Sequence, residues 1–594
     1  MRKFTKIAVV ALVLLLAVSL MFGFAKTKEK VLYSSIPEKI KGFDPTVITD
    51  LYTATVGGNI FEGLFQYKYL SDIYELEPCL ADGMPAVSKD NLTYTFKIKK
   101  NISYYDPEKK VFKNGKGRAV VANDFVYTLL RLGDPNNTES GGWWLFDGFI
   151  KGFDVWRDAA EKNGAADYSK LPEGVKIIDD YTFSITLNTP YPQILYCFAM
   201  TFTWPVAKEV VDVYGEDWIN HPIGTGPYAL DHKQTIVDNQ FVLTRNPYYR
   251  NEYYPREAGE KAKSLGLLKY AGKKLPFIDK LVYYVIEETN PAWLKLMAGE
   301  LDIGGIPKDQ FAKSITPTKD LTPELKEKGL TLDINPTLDV TYTFFNMEDP
   351  ILGKNRKLRQ AISMAQDRDK MIQIFYNNRA IKAQTVIPPG LGGYDPKYVN
   401  PYGVYNVEKA KQLIAEAGYP EGKGLPAFMY TTLTSTTSRQ MAEFNKNNWA
   451  QIGIVLNIET CDWPTFLSKI DTHQVQIGGI AWGADYPDAQ NFLQLLYGPN
   501  KAPGPNAANY DNPEFNALYD QFKVMGESKK RNELYSKAAK IAAEDCPWVL
   551  GVHRESYSLV YNWVLNYFFR DIGYGYSKYR DIDMAKRDAM KGKK

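Results

Sequence analysis

Residues 221 to 230 read HPIGTGPYAL, a stretch whose glycines and prolines restrict the backbone tightly. Two glycines flank Thr225, and Pro222 and Pro227 close the segment in. A phosphate-holding loop needs its glycines at the end of a strand with a helix directly after. The anion then rests on the free N–H groups and positive dipole end of that helix. Here a proline follows and removes a donor. Tyr228-Ala229-Leu230, a polar turn from Asp231 to Asn239, and Phe241-Val242-Leu243 then read as a hairpin. Gly224 and Gly226 are therefore expected to allow a tight backbone crossing, with the prolines setting its entry and exit.

Strand and helix periods alternate through the rest of the chain. Residues 92–98 (LTYTFKI) and 181–187 (YTFSITL) repeat with period two, which predicts half-buried strands, and 31–33, 241–249 and 281–286 predict others. An apolar, helix-like stretch is expected to end at 60–64, a short helix at 123–131, and a Gly/Trp-rich loop at 141–156. Asn406 is an expected N-cap for a helix carrying Ala410, Leu413, Ile414 and Ala417 on one face, with Gly418 at its end. Phe515, Leu518 and Phe522, then Leu534, Ala538 and Ile541, mark two more amphipathic helices. No period of 20 to 50 residues occurs, so mixed α/β lobes are expected rather than a solenoid.

Arg2, Lys3 and Lys6 precede an apolar run from Ile7 to Phe22, and Gly23-Phe24-Ala25 supplies small residues before Lys26. This reads as an export signal over 1–25, with an uncleaved anchor as the alternative. No cysteine stands near residue 25 for lipid attachment. Loss of that segment removes three of the 72 basic residues and none of the 69 acids. A neutral chain counts against nucleic-acid binding. Cys79, Cys197, Cys461 and Cys546 form no CxxC pattern and are expected as isolated buried thiols. His221, His232, His473 and His553 stand at no metal-ligand spacing, no HExxH or GxSxG occurs, and no metal, cofactor or catalytic residue is expected.

The order of several stretches resembles the bacterial extracellular solute-binding proteins of family 5, the oligopeptide, dipeptide and nickel type. Residues 220–228 (NHPIGTGPY) followed by 245–249 (RNPYY) resemble its signature pair. Phe43-Asp44-Pro45, Phe61-Glu62-Gly63-Leu64, Leu80-Ala81-Asp82, Ala122-Asn123-Asp124-Phe125 through Arg131, and Gly299-Glu300-Leu301-Asp302 agree in order. Arg359-Gln360-Ala361-Ile362, Asp367-Arg368, Pro388-Pro389 and Trp482-Gly483-Ala484-Asp485-Tyr486 continue the agreement along nearly the whole chain. The resemblance implies an α/β, two-lobed periplasmic binding protein of type II, cluster C, with an extra subdomain inserted in the first lobe. Lobe I would comprise 26–70, the inserted subdomain 71–204, then 205–304 and 546–594, and lobe II 305–545.

The same resemblance implies the binding component of an ABC importer, expected outside the cytoplasmic membrane or in the periplasm. It would act as a monomer, without catalysis, and deliver its cargo to permease subunits driven by an ATPase. In the family's oligopeptide binders an aspartate in a Trp-x-Ala-Asp-Tyr stretch pairs with the peptide's α-ammonium, and Asp485 holds that place. Trp482 and Tyr486 would wall the cleft. Asn346 and Phe344 are carried to it as well, although Phe344 stands where those binders have a glutamate. Ile470 and Gly479 replace arginines, and the Thr431 to Ser438 stretch has no histidine for the family's ligand-binding one. An oligopeptide is the expected cargo. An oligosaccharide stacked on Trp or Tyr faces is the alternative, haem or nickel complexes are further options, and a secreted hydrolase with a hidden carboxylate pair is the alternative of a different class.

Overall fold

The computed structural model describes residues 28–137 and 140–591, so the expected export signal lies outside the described residues. Among those residues no helix is long and apolar enough to cross a membrane. The first lobe is built on a four-stranded sheet in the order Val31–Ile36, Lys280–Val285, Gln240–Arg245, Tyr228–Leu230. The first pair is parallel and the others antiparallel. Alternation places Leu32, Leu243, Leu281 and Tyr283 on the core face and Val31, Val242 and Val282 on the other, as the two-residue period requires.

A second four-stranded sheet, Ala86–Val87, Thr93–Lys97, Thr182–Thr186, Val175–Asp179, carries the two segments with the clearest period-two pattern. Phe96 stands opposite Phe183, their ring centroids 5.1 Å apart. The helix Ala122–Arg131 packs beside this sheet. Its last residue reaches back to the first lobe, because Arg131 makes a two-pronged buried ion pair with Asp44 at 2.8 and 2.5 Å. Two motifs 87 residues apart thus meet in one contact. The Gly/Trp-rich stretch is a short 3-10 turn at Trp143–Leu145, but the helix Phe153–Asn163 begins inside its expected end.

The crossing at HPIGTGPYAL is present. The Gly226 N–H donates to the Ile60 carbonyl at 2.7 Å and the Tyr228 N–H to the Asn59 carbonyl at 3.1 Å. A Cβ on Gly226 would stand 2.6 Å from both carbonyl oxygens, and one on Gly224 would collide with Ile60. Close approach, rather than a left-handed backbone, is what demands glycine here. For the same reason the helix expected to reach residue 64 ends earlier, at Leu51–Gly57: the carbonyls at 59 and 60 serve the crossing instead of a further turn. Thr225 donates to buried Glu62 at 3.2 Å, Tyr249 donates to it at 3.0 Å, and Arg250 pairs with it. Lys578 and Glu252, 2.9 Å apart, complete this network near the C-terminus.

The second lobe is a five-stranded sheet in the order Leu456–Cys461, Phe428–Leu433, Ile477–Gly483, Asp339–Phe345, Trp548–Leu550. The helices Arg356–Met364, Val407–Glu416 and Thr436–Ala450 cover one face, where Trp449 is wholly buried. Trp463–Asp471, Pro513–Phe522 and Lys529–Asp545 cover the other. Asn406 caps its helix through the Lys409 N–H.

Two of the expected boundaries move. Ile306, Ile315, Leu321, Leu325 and Leu330 share a core with Leu32 and Leu281, so residues after 305 still pack on the first lobe. At the other end, Trp548–Leu550 pairs with Asp339–Phe345 and so belongs to the second lobe's sheet beyond 545. The chain passes between lobes at Thr337-Leu338 and again at Gly551. These crossings join the antiparallel pair Leu330–Pro336 and Val552–Tyr561 to the second lobe's sheet. They lie side by side, the Gly551 N–H donating to Thr341 at 2.8 Å.

All four cysteines are free, with Cys79, Cys197 and Cys546 buried and Cys461 partly so. Gly226→Ala is expected to destabilise the fold by about 1–3 kcal/mol through forced backbone displacement. A lowered urea midpoint checks it, and an unchanged midpoint would refute the steric account of this crossing.

Candidate functional site

The strand Ile477–Gly483 points its C-terminal end into the gap between the lobes, the usual place for ligand-contacting residues in α/β sheets. Asp339, which begins the neighbouring antiparallel strand, stands opposite Gly483. A cavity of about 560 Å³ opens at this edge. Both interlobe crossings line it through Thr337, Leu338, Leu550 and Gly551, so the cavity sits where the two lobes join. A shallower depression lined by Lys97, Lys99, Lys100 and Tyr181 lies elsewhere, on the second sheet.

The cavity is acidic and aromatic. Glu38, Asp50, Asp339, Asp471, Asp485 and Asp571 line it against a single arginine, Arg554. That arginine is committed to Asp339, at 2.5 Å through its side chain and 2.9 Å through its backbone N–H. Asp50 caps the helix Leu51–Gly57, accepting the Tyr52 and Thr53 N–H groups at 2.9 Å each. This presents Tyr52 to the cavity, where it meets Trp463 of the second lobe edge-on at 5.9 Å. Burial, with the nearby carboxylates of Glu287, Asp462 and Asp50, pushes Glu38 up to about 7.

Asp485 is half-buried, its carboxylate facing the cavity. Asn491, wholly buried, donates to that carboxylate at 2.8 Å. Its own carbonyl accepts the Asp485 N–H at 2.9 Å and the Trp482 indole N–H at 3.1 Å. One amide side chain therefore fixes both cavity-facing residues of the WGADY stretch. Loss of water pushes the Asp485 carboxyl up to about 6, with the Asn491 hydrogen bond opposing the rise. Among the described residues no lysine or arginine pairs with Asp485. Nothing in the sequence marks Asn491, because its role depends on the turn Gln490–Leu493 folding back beneath the strand end.

Three residues expected at the cleft are elsewhere. Tyr486 lies behind the cavity wall, fully buried in the core of the inserted sheet, stacked on Tyr196 at 5.7 Å. Its hydroxyl donates to Gln490 at 2.5 Å. After the strand ends at Gly483 the chain bends through residues 485–488, so Asp485 faces the cavity while Tyr486 turns into the other lobe. Phe344 is wholly buried against Gly478, where a Cβ would meet its ring at 2.9 Å. Asn346 lies past the strand's far end, bracing a loop through Glu348 and Asn509 at 3.1 Å each. The strand is too long to bring its last residues to the cavity edge.

Contacts close the lobes on both sides of the cavity. On one side Lys39 approaches Asp462 at 3.8 Å, Lys41 approaches Asp471 at 3.7 Å, and Glu288 accepts the Thr436 N–H at 2.9 Å. On the other, Tyr486 fills its pocket and Gln193 donates to Asp488 at 3.2 Å.

Residues 75–504 match the family model described as bacterial extracellular solute-binding proteins, family 5 Middle. The chain is 27% identical over 547 residues to heme-binding protein A of Haemophilus influenzae, covering 90% of this chain and 89% of that one. It is 26% identical over 557 residues to the periplasmic oligopeptide-binding protein OppA of Salmonella typhimurium, covering 92% of each. Among solved structures it is similar in fold to the murein tripeptide binding protein MppA of Escherichia coli, with a TM-score of 0.76 and 23% identity over 94% of this chain and 99% of that one. The periplasmic binding protein DppA from Helicobacter pylori, in complex with the peptide STSA, gives a TM-score of 0.74 at 24% identity over 93% and 98%.

Tyr486→Ala is expected to loosen the closed arrangement, read as a larger radius of gyration in small-angle X-ray scattering. An unchanged radius under conditions that close the native protein would overturn its role as an interlobe plug. Difference titration of native protein against Asp485→Asn should show one carboxyl protonating near 6, and Asn491→Ala should move that step upward.

Proposed function

The chain belongs to the bacterial extracellular solute-binding proteins of family 5, and from that premise we propose that it captures an oligopeptide between its lobes for an ABC importer. Asp485 carries the reading. A carboxylate held by Asn491, facing a cavity and lacking a cationic partner, is completed by a ligand ammonium, because closure on a ligand removes its remaining water and a desolvated charge left alone costs several kcal/mol. The cavity of about 560 Å³ falls within the range of roughly 300–1,000 Å³ that encloses small ligands, which suits a short peptide. Trp482, Tyr52 and Trp463 supply apolar walls, and the strand ends offer backbone groups for an extended main chain. Arg554, already paired, is the only basic residue among the described residues lining the cavity, so the peptide's amino end is held more firmly than its carboxylate.

The family and its named relatives support binding rather than chemistry as the role of the lobes. Closure displays a surface to permease subunits, and opening releases the ligand, with the monomeric chain outside the cytoplasmic membrane. The relatives support this reading, because OppA of Salmonella typhimurium is by name an oligopeptide binder. An oligosaccharide stacked on Trp482 is the competing cargo, favoured by the aromatic lining, but a neutral sugar leaves Asp485 without a counter-charge.

Asp485→Asn is expected to weaken peptides with a free amino terminus by about 30-fold or more, from roughly 2–5 kcal/mol for a truncated desolvated charge pair, and N-acetylated peptides far less. Calorimetry checks it; equal loss for both would refute the ammonium role, and dominant loss in Trp482→Ala with a glycan ligand would favour the sugar. The sign of the pH effect follows from the raised carboxyl. A cation binds the ionised form, so affinity is full above about 6 and falls by about tenfold for each pH unit below it. Asp485→Asn should flatten that slope, leaving a smaller residue from Glu38.

A further inference from the structure

His221 and His232 stand at no metal-ligand spacing in the sequence, yet the fold brings them together with Glu108. The Glu108 Oε2, His221 Nδ1 and His232 Nε2 atoms converge, the ligand atoms all lying within 4.8 Å of one another. We propose that Glu108, His221 and His232 form a binding site for a divalent transition-metal ion of the zinc, nickel and copper group. None of the three lines the cavity between the lobes.

Each ligand comes from a different loop, and Glu108 and His221 are braced by their neighbours. Glu108 lies between the strands Ser103–Tyr105 and Lys116–Ala119. There the buried Asp106 carboxylate accepts the N–H groups of Glu108, Lys109, Val111 and Phe112 at 2.8–3.0 Å. His221 follows the 3-10 helix Gly215–Asn220, with its ring stacked on Tyr214 at 4.1 Å. His232 follows the strand Tyr228–Leu230, its ring 4.9 Å from that of His221. The Tyr214 hydroxyl donates to Glu108 Oε2 at 2.9 Å.

Asp217 completes the pattern. Its carboxylate lies 3.1 Å from His221 Nε2 and is itself held by the Asn220 amide at 2.9 Å. A histidine that ligates a metal through one nitrogen ordinarily gives its other N–H to such a carboxylate. With Nε2 donating to Asp217, the Nδ1 lone pair faces the Glu108 carboxylate at 2.5 Å, so two acceptor atoms point at one place that a metal cation suits. His232 Nε2 is 3.3 Å from the same carboxylate oxygen, close to the spacing of roughly 3.3 Å between ligands whose bonds to zinc are about 2.0–2.2 Å. The His221 to Glu108 gap must widen by about an ångström to match. Two imidazoles and one carboxylate select transition metals over calcium or magnesium, which prefer all-oxygen shells. Lys110, whose ammonium lies over the Tyr214 ring at 4.0 Å, is the nearby basic group.

The ion would staple the loop at 106–115 to the chain that enters and leaves the GTG crossing. Its role is therefore structural, independent of the cargo. The test is calorimetric titration of chelator-treated full chain with zinc sulfate, followed by thermal melting. One zinc per chain and a raised melting temperature are expected, with binding weakened at least about tenfold in Glu108→Gln and in His232→Ala, and by about 10- to 100-fold in Asp217→Asn. Asp485→Asn should leave zinc affinity unchanged. Absence of zinc, nickel and copper binding, or binding equal in the His221→Ala, His232→Ala double variant, would overturn the site. Should the variants fail to fold, X-ray absorption of the zinc-loaded native chain decides: two imidazole ligands support the site, and an all-oxygen shell refutes it.

Discussion

The close passage of Gly224 and Gly226 over the carbonyls of Asn59 and Ile60 is the constraint on which the first lobe depends. It joins the start of the chain to the point where the chain returns from the inserted sheet. Just upstream of those carbonyls the helix Leu51–Gly57 ends, and its cap presents Asp50 and Tyr52 to the cavity. Just downstream, Glu62 gathers Thr225, Tyr249 and Arg250, and through Glu252 the C-terminal Lys578. A buried carboxylate with this many donors holds far segments in register, since removing one partner of such a pair typically costs about 3–5 kcal/mol.

The second lobe is held by buried arginines whose partners are mostly carbonyls. Arg368 donates to Leu550 at 2.5 Å and Gly403 at 2.6 Å, and Arg359 donates to Leu352 at 2.8 Å and to Asp545 at 2.9 Å. These contacts place the strand Trp548–Leu550 and hence the Gly551 crossing. Asp302 does the equivalent in the first lobe, accepting the Trp563 indole at 2.7 Å and the Tyr33 N–H at 2.8 Å. Most of the recognisable motifs therefore build the frame. The cavity uses the ends of the elements that the frame positions.

Strands 93–97 and 182–186, the 228–245 hairpin and the helix after Asn406 were legible because local period and capping agree with the final environment. Asp485 and Trp482 were legible through their motif, and both line the cavity. Tyr486, Phe344 and Asn346 were misplaced because a motif does not say which residues reach the gap: the chain bends after Gly483 and turns Tyr486 into the other lobe, and the strand Asp339–Phe345 carries Phe344 and Asn346 away from the cavity edge. The boundaries at 305 and 545 failed similarly, since Leu330 and Trp548 are apolar in either lobe and only packing assigns them.

By itself the sequence determined that the GTG stretch is a crossing and not a phosphate loop, because a proline and a strand follow it and leave no helix terminus to hold an anion. It also determined the family and the mixed α/β lobes, since these rest on local pattern and on the order of motifs. Tertiary structure alone decided that Asn491 holds Asp485 and Trp482, that Tyr486 plugs the opposite lobe, and that His221 and His232 meet Glu108. These are meetings of side chains on separate segments, and their geometry depends on how the sheets and loops pack.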